Sequence, residues 1–180
     1  MIRTVFVIMR AGITYFFNRG FTRYWGHYRS QNLLTWYYEG IAIKSDCEWD
    51  KNGAFSGCGF TEDGKLEIFY TGNVEEEGDY DYVYEGRGAN VIYTVTEDGL
   101  HFSDKKLLLT NEDYPKEYTC HVRDPKVWKT KNLYYMILGG RKKDNTGAVL
   151  QYVSSDKNKW DFLGELCCAD VFGFMWECPD

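Results

Sequence analysis

Two short stretches hold side chains that could act together on a bond: Arg123-Asp124-Pro125, and Trp176-Glu177-Cys178-Pro179 close to residue 180. A carboxyl pair of this kind suits acid/base work on a C–O bond. Cleavage of a glycosidic link uses one group as proton donor and the other as nucleophile, base or stabiliser of the developing positive charge. Glu177 follows an indole, which lowers local polarity, as a proton donor requires. Asp124 follows a guanidinium, which favours its ionised form. Environments that push two carboxyls in opposite directions are what such chemistry uses. Spacing alone leaves open that Asp124 and Glu177 are separate turn and strand-edge residues.

Bringing them together is the task of the elements around them. Segments 25–43, 91–109 and 149–167 share one plan of strand, seven-residue turn and strand. The turns SQNLLTW, TEDGLHF and SSDKNKW each end on an aromatic, Trp36, Phe102 and Trp160, spaced by 66 and then 58 residues. Further strand pairs, FSGCGF-TEDGK-LEIFYTGN (55–73) and RDPKVW-KTKN-LYYMILGG (123–140), lie between them. No helical period of useful length appears. Four antiparallel strands repeated radially make a β-propeller, and a two-sheet sandwich is the competing arrangement. In a propeller the first strand of each blade lines the central funnel. The starts FSG, RDP and WECP therefore bring Ser56, Arg123, Asp124 and Glu177 to one place, with WECPD read as the first strand of a further blade.

Composition narrows the partners. Tyr, Phe and Trp make up 18% of the 180 residues, which suits strands and also the stacking of sugar rings. A net charge of −6 argues against nucleic acid or an anionic membrane surface as partner. No apolar run reaches the roughly 20 residues of a membrane span. Arg10 cuts the apolar start to about six residues, short for a signal peptide, so the expected location is the cytoplasm. The six Cys show neither CxxC pairs nor zinc spacing with the three His and read as reduced thiols. Neither metal nor cofactor is expected, and the sequence does not define an oligomeric state.

Taken in order, WGHYRSQNLLTW (25–36), FSGCG (55–59), RDP (123–125) and MWECPD (175–180) resemble glycoside hydrolase family 32, the β-fructofuranosidases, invertases and sucrose-6-phosphate hydrolases. Each motif alone is weak; their order across the chain is specific. The resemblance implies an all-β fold, a five-bladed propeller of four-stranded antiparallel blades, of which this length supplies about three. It also implies retaining hydrolysis of β-fructosides without a cofactor. By position, Glu177 matches the acid/base, Asp124 the transition-state stabiliser and Arg123 its partner. Phe55 and Ser56 match a substrate-lining step, and Trp25 a Trp-Gly-His element near the pocket.

One expected part is missing. The family's nucleophilic aspartate lies in a Trp-Met-Asn-Asp-Pro-Asn-Gly run on the first blade, and this sequence has no Asp or Glu before Glu39. Residues 1–24 read as an atypical segment in that place, and 25–180 as a partial propeller domain. On this reading the chain is a fragment unable to complete the double displacement. Two alternatives stand beside it: a non-catalytic carbohydrate-binding remnant, and a related arabinan- or xylan-cleaving glycosidase. The Tyr-rich acidic stretch 74–86 reads as a solvated loop rather than a calcium site, and His121 as a neighbour of the pocket rim.

Overall fold

A computed structural model of the chain describes residues 4–9, 12–19, 24–169 and 173–180, with side chains described for 24–167 and 173–180. Arg3, Arg10 and Arg23 of the N-terminal segment lie outside the described residues. Among the described residues the strands are β1 (Thr4–Met9), β2 (Gly12–Arg19), β3 (Tyr24–Ser30), β4 (Tyr37–Ile43), β5 (Gly53–Glu62), β6 (Lys65–Glu75), β7 (Arg87–Thr96), β8 (Lys106–Leu109), β9 (Tyr118–Thr130), β10 (Leu133–Lys142), β11 (Gly147–Ser154) and β12 (Asp161–Ala169). They form three four-stranded sheets in the sequential orders β1-β2-β3-β4, β5-β6-β7-β8 and β9-β10-β11-β12. Every pairing is antiparallel. The first strands lie next to one another, β5 beside both β1 and β9. That is the radial plan of three propeller blades.

The seven-residue turns repeat in atomic detail. Ser30, Thr96 and Ser154 open them with a hydroxyl that accepts the N–H of Leu33, Gly99 and Lys157. Two residues on, Asn32, Asp98 and Asp156 each take two backbone N–H groups on one side-chain oxygen. The fourth residue is left-handed in every blade, with φ 63° at Leu33, 77° at Gly99 and 63° at Lys157. In the first and third blades the closing indole donates back to that residue's carbonyl, Trp36 to Leu33 and Trp160 to Lys157. These are Asx- and ST-type turns, in which side-chain oxygens satisfy a tight bend that the ladder cannot.

The middle blade is covered on both faces. Leu66, Ile68 and Tyr70 of β6 pack toward the first blade with Trp25, Ile43 and Ile92. Phe69 points the other way, into a cluster with Met136, Leu138, Leu150, Tyr152 and Trp160 of the third. β6 accordingly reads as an almost continuous buried run rather than an alternation. The outermost strands are exposed at Tyr37, Tyr38 and Ile41 of β4 and at Phe162, Leu163 and Leu166 of β12. The segment 173–180 forms no strand, contrary to the expectation from WECPD. It runs across the third blade, against Gly139 and Gly147.

Candidate active site

Two matched bulges build the site. In β5, Ala54 pairs with Gly72 and Gly57 with Tyr70, so Phe55 and Ser56 together face the single residue Thr71. In β9, Arg123 pairs with Gly139 and Lys126 with Ile137, so Asp124 and Pro125 together face Leu138. A bulge of this kind bends the strand and re-aims a side chain. Pro125 fits there because it has no N–H to withhold from the ladder. The two bulges are stitched to each other: the Asp124 N–H donates to Thr71 Oγ1 at 2.8 Å. Asp124 itself is left-handed, φ 64°, and only 3% exposed. β1 pairs with β2 through Thr4–Met9 with no such shift in register.

Glu177 arrives on the segment 173–180. Gly139 and Gly147 make its seat, because a Cβ at Gly139 would overlap the Trp176 carbonyl and one at Gly147 would lie 2.6 Å from the Trp176 ring. The Arg141 guanidinium sits over the Phe174 ring at 4.4 Å, and Lys126 pairs with Asp180 at 2.6 Å. Seated this way, Cys178 donates its N–H to Asp124 Oδ2 at 2.9 Å, with its thiol 3.4 Å from the same oxygen. Arg123 donates through Nη2 to Glu177 Oε1 at 2.7 Å and through Nη1 to His121 Nδ1 at 2.6 Å. His121 Nε2 lies 3.1 Å from the Tyr82 carbonyl. The two carboxylates are thus tied into one cluster, Asp124 buried and Glu177 46% exposed at its side chain.

Burial dominates the electrostatics. It pushes the Asp124 carboxyl above the usual range, against the weaker opposing pull of Arg123 and of the bonds from Cys178. Arg123 does favour the ionised form, as expected, but burial outweighs it, and the guanidinium spends both Nη groups on His121 and Glu177. Burial also pushes His121 down to about 4, helped by the charges of Arg123 and Arg87. Among the described residues no three His, Cys, Asp or Glu side chains gather to hold a metal ion.

The protein-family model described as "Glycosyl hydrolases family 32 N-terminal domain" matches residues 15–180. The chain belongs to family 32. A curated relative of this family-32 chain, the sucrose-6-phosphate hydrolase of Bacillus subtilis, is 37% identical over 163 residues, covering 88% of the chain and 32% of the relative. The raffinose invertase of Escherichia coli is 32% identical, over 87% of the chain and 32% of its own length. The chain spans about a third of the length of the curated relatives it matches. Among solved structures, the sucrose-6-phosphate hydrolase of Lactobacillus gasseri superposes with a TM-score of 0.82 at 26% identity, over 98% of this chain and 38% of that one. A Bombyx mori β-fructofuranosidase gives 0.77 at 28% identity, over 97% and 37%.

In the family-32 chain the remaining residues singled out by sequence take different places. Phe55 and Ser56 form the half-buried bulge of β5. Trp25 is only 2% exposed, packs on Tyr70, and donates its indole N–H to the Phe55 carbonyl at 2.8 Å. It therefore reaches the site through the bulge backbone. Sequence reasoning missed Thr71 and Cys178. The signal for Thr71 was its position in FYTGN across the hairpin from FSG; that for Cys178 was adjacency to Glu177.

Proposed function

We propose that this chain recognises the fructosyl unit of a β-fructoside, of the sucrose, sucrose 6-phosphate or fructan class, with Asp124 and Glu177 as the groups that act on it. The observation that carries the reading is the cluster joining both carboxylates through Arg123 and Cys178. Asp124, buried and acceptor-only when ionised, is suited to take sugar hydroxyl protons and to face the positive charge that develops at the anomeric carbon. Glu177 stands where a leaving-group oxygen can reach it. It accepts from Arg123 in this arrangement, the state of a base, and acts as an acid once it leaves the guanidinium carrying a proton.

Retaining hydrolysis also needs a nucleophilic carboxylate on the opposite face of the sugar. With no Asp or Glu before Glu39, which stands on the outermost strand of the first blade, the three strands inside it offer none, and we read the 180 residues as binding a β-fructoside without completing turnover. Glucose release from sucrose, together with calorimetry on sucrose, sucrose 6-phosphate and 1-kestose, tests this. The expected result is binding near the millimolar level, about 4 kcal/mol, weakened in Glu177→Gln and Asp124→Asn, with no glucose released. Failure to bind any of the three would overturn the recognition; glucose release lost in Glu177→Gln would overturn the incomplete cycle.

A further inference from the structure

His121 and Arg123 are two residues apart on β9 and so share a face of the strand. Both ring nitrogens of His121 meet partners whose hydrogen-bonding sense is fixed. A guanidinium can only donate, so Nδ1, at 2.6 Å from Arg123 Nη1, must be an acceptor. A carbonyl can only accept, so Nε2, at 3.1 Å from the Tyr82 oxygen, must carry the proton. The ring is neutral with one defined tautomer. We propose that His121 is a positioning residue: its Nε2-protonated ring bridges the Tyr82 carbonyl to Arg123 and holds the guanidinium across Glu177.

The far end of the bridge is anchored. Tyr82 is left-handed, φ 56°, and its carbonyl also accepts from Arg87 Nε at 3.1 Å. Asp81 takes the N–H groups of Val83 and Tyr84 at 2.8 Å each, and the Cys120 N–H binds the Val83 carbonyl at 2.8 Å. The acidic loop is thus strapped to β9 and presents one oxygen to the ring. Arg87 from β7, Arg141 from β10 and Arg123 from β9 all oppose a positive charge on His121. Glu177 lies beyond Arg123, and the loop carries Asp81 together with Glu76, Glu77, Asp79 and Glu85. With Nδ1 as a fixed acceptor, one Nη of Arg123 is pinned and the other is directed at Glu177. Without it the fork is free to turn away from the acid/base group. The inference rests on the reading of Glu177 given above.

Nitrogen NMR of the 180-residue chain, with histidine and arginine labelled, tests it. At pH 7 His121 should show an unprotonated Nδ1 and a protonated Nε2, and the Arg123 Nη signals should be split by hindered rotation. Both features should vanish as pH falls through about 4, where Nδ1 becomes a donor. His121→Leu should merge the Arg123 signals and lower sucrose affinity about fivefold, roughly 1 kcal/mol; His121→Gln, whose amide oxygen can accept, should restore both. A ring protonated on Nδ1 at pH 7, or Arg123 splitting unchanged in His121→Leu, would overturn the proposal. If the leucine variant does not fold, the tautomer and pH readouts on the wild-type chain still decide. Should the NMR signature hold while no fructoside binds, the bridge stands and the fructoside reading falls.

Discussion

Asp124 combines two unfavourable conditions, a left-handed backbone and a buried carboxyl. Residues held in sparsely populated backbone regions cost on the order of 1–3 kcal/mol, and such strain collects at functional sites. The charge has its own cost, because burial raises the pKa of the carboxyl above its unfolded value. A carboxyl shifted upward stabilises the fold least at high pH: stability falls as pH rises from about 4 through the raised value. Asparagine keeps the shape, tolerates the left-handed region and still accepts from Cys178 through its amide oxygen. Asp124→Asn should therefore have a Tm at pH 7 equal to or above that of the wild type. The advantage should disappear below about pH 4, where aspartate is protonated in both states. Sucrose affinity should drop at least tenfold, about 1.4 kcal/mol. A lower Tm at pH 7 would mean that the charge itself supports the fold.

The elements show which features were legible beforehand. The turn segments could be read because their chemistry is local: hydroxyl, Asn or Asp, left-handed residue and aromatic lie within seven consecutive positions. The bulges could not, since they depend on cross-strand register, and Phe55-Ser56 reads as two more strand residues until paired against Thr71. Trp25 reads only as part of an element near the pocket, because nothing in its neighbourhood reveals Tyr70 packed on it. WECPD reads as a strand because its composition suits one, but composition supplies no partner. The left-handed turn position allows a test of the local account. Gly99 occupies it freely, whereas Leu33 holds φ 63° with a side chain 55% exposed. A left-handed non-glycine residue costs roughly 1–2 kcal/mol, against about 0.5–1 kcal/mol of added chain entropy for glycine. Leu33→Gly should raise stability by about 0.5–1 kcal/mol in urea unfolding, and a loss would show that Leu33 packs where it looks bare.

At the scale of the whole molecule, the site exists only while the second and third blades stay in register, because Thr71 belongs to one and Asp124 to the other. Away from the funnel that register is held by charge as well as by the apolar cluster. Lys157 Nζ lies 2.7 Å from Glu62 and 2.6 Å from Glu67, and 4.8 Å from the centre of the Tyr134 ring. Lys129 and the Tyr134 hydroxyl reach Glu62 as well. This explains why Lys157 tolerates its left-handed position: the turn aims its ammonium back across the interface. The bonds from Lys129 and Lys157 hold the Glu62 carboxyl down to about 2. A carboxyl shifted downward contributes stability that is present above its unfolded pKa near 4.3 and is lost as pH falls toward the folded value. The wild-type chain should therefore weaken between about pH 4 and pH 2. Lys157→Met keeps the stem but leaves Glu62 and Glu67 without their shared cation, at an expected cost of about 2–4 kcal/mol at pH 7. At pH 2.5 the same substitution should cost much less, since the pH then approaches the folded value of Glu62. Urea unfolding of both proteins at the two pH values separates the contributions: an equal loss at both would assign the interface to packing, and a loss confined to pH 7 would assign it to the ion pairs. Sucrose affinity should fall alongside stability at pH 7, because the same displacement carries Thr71 away from Asp124.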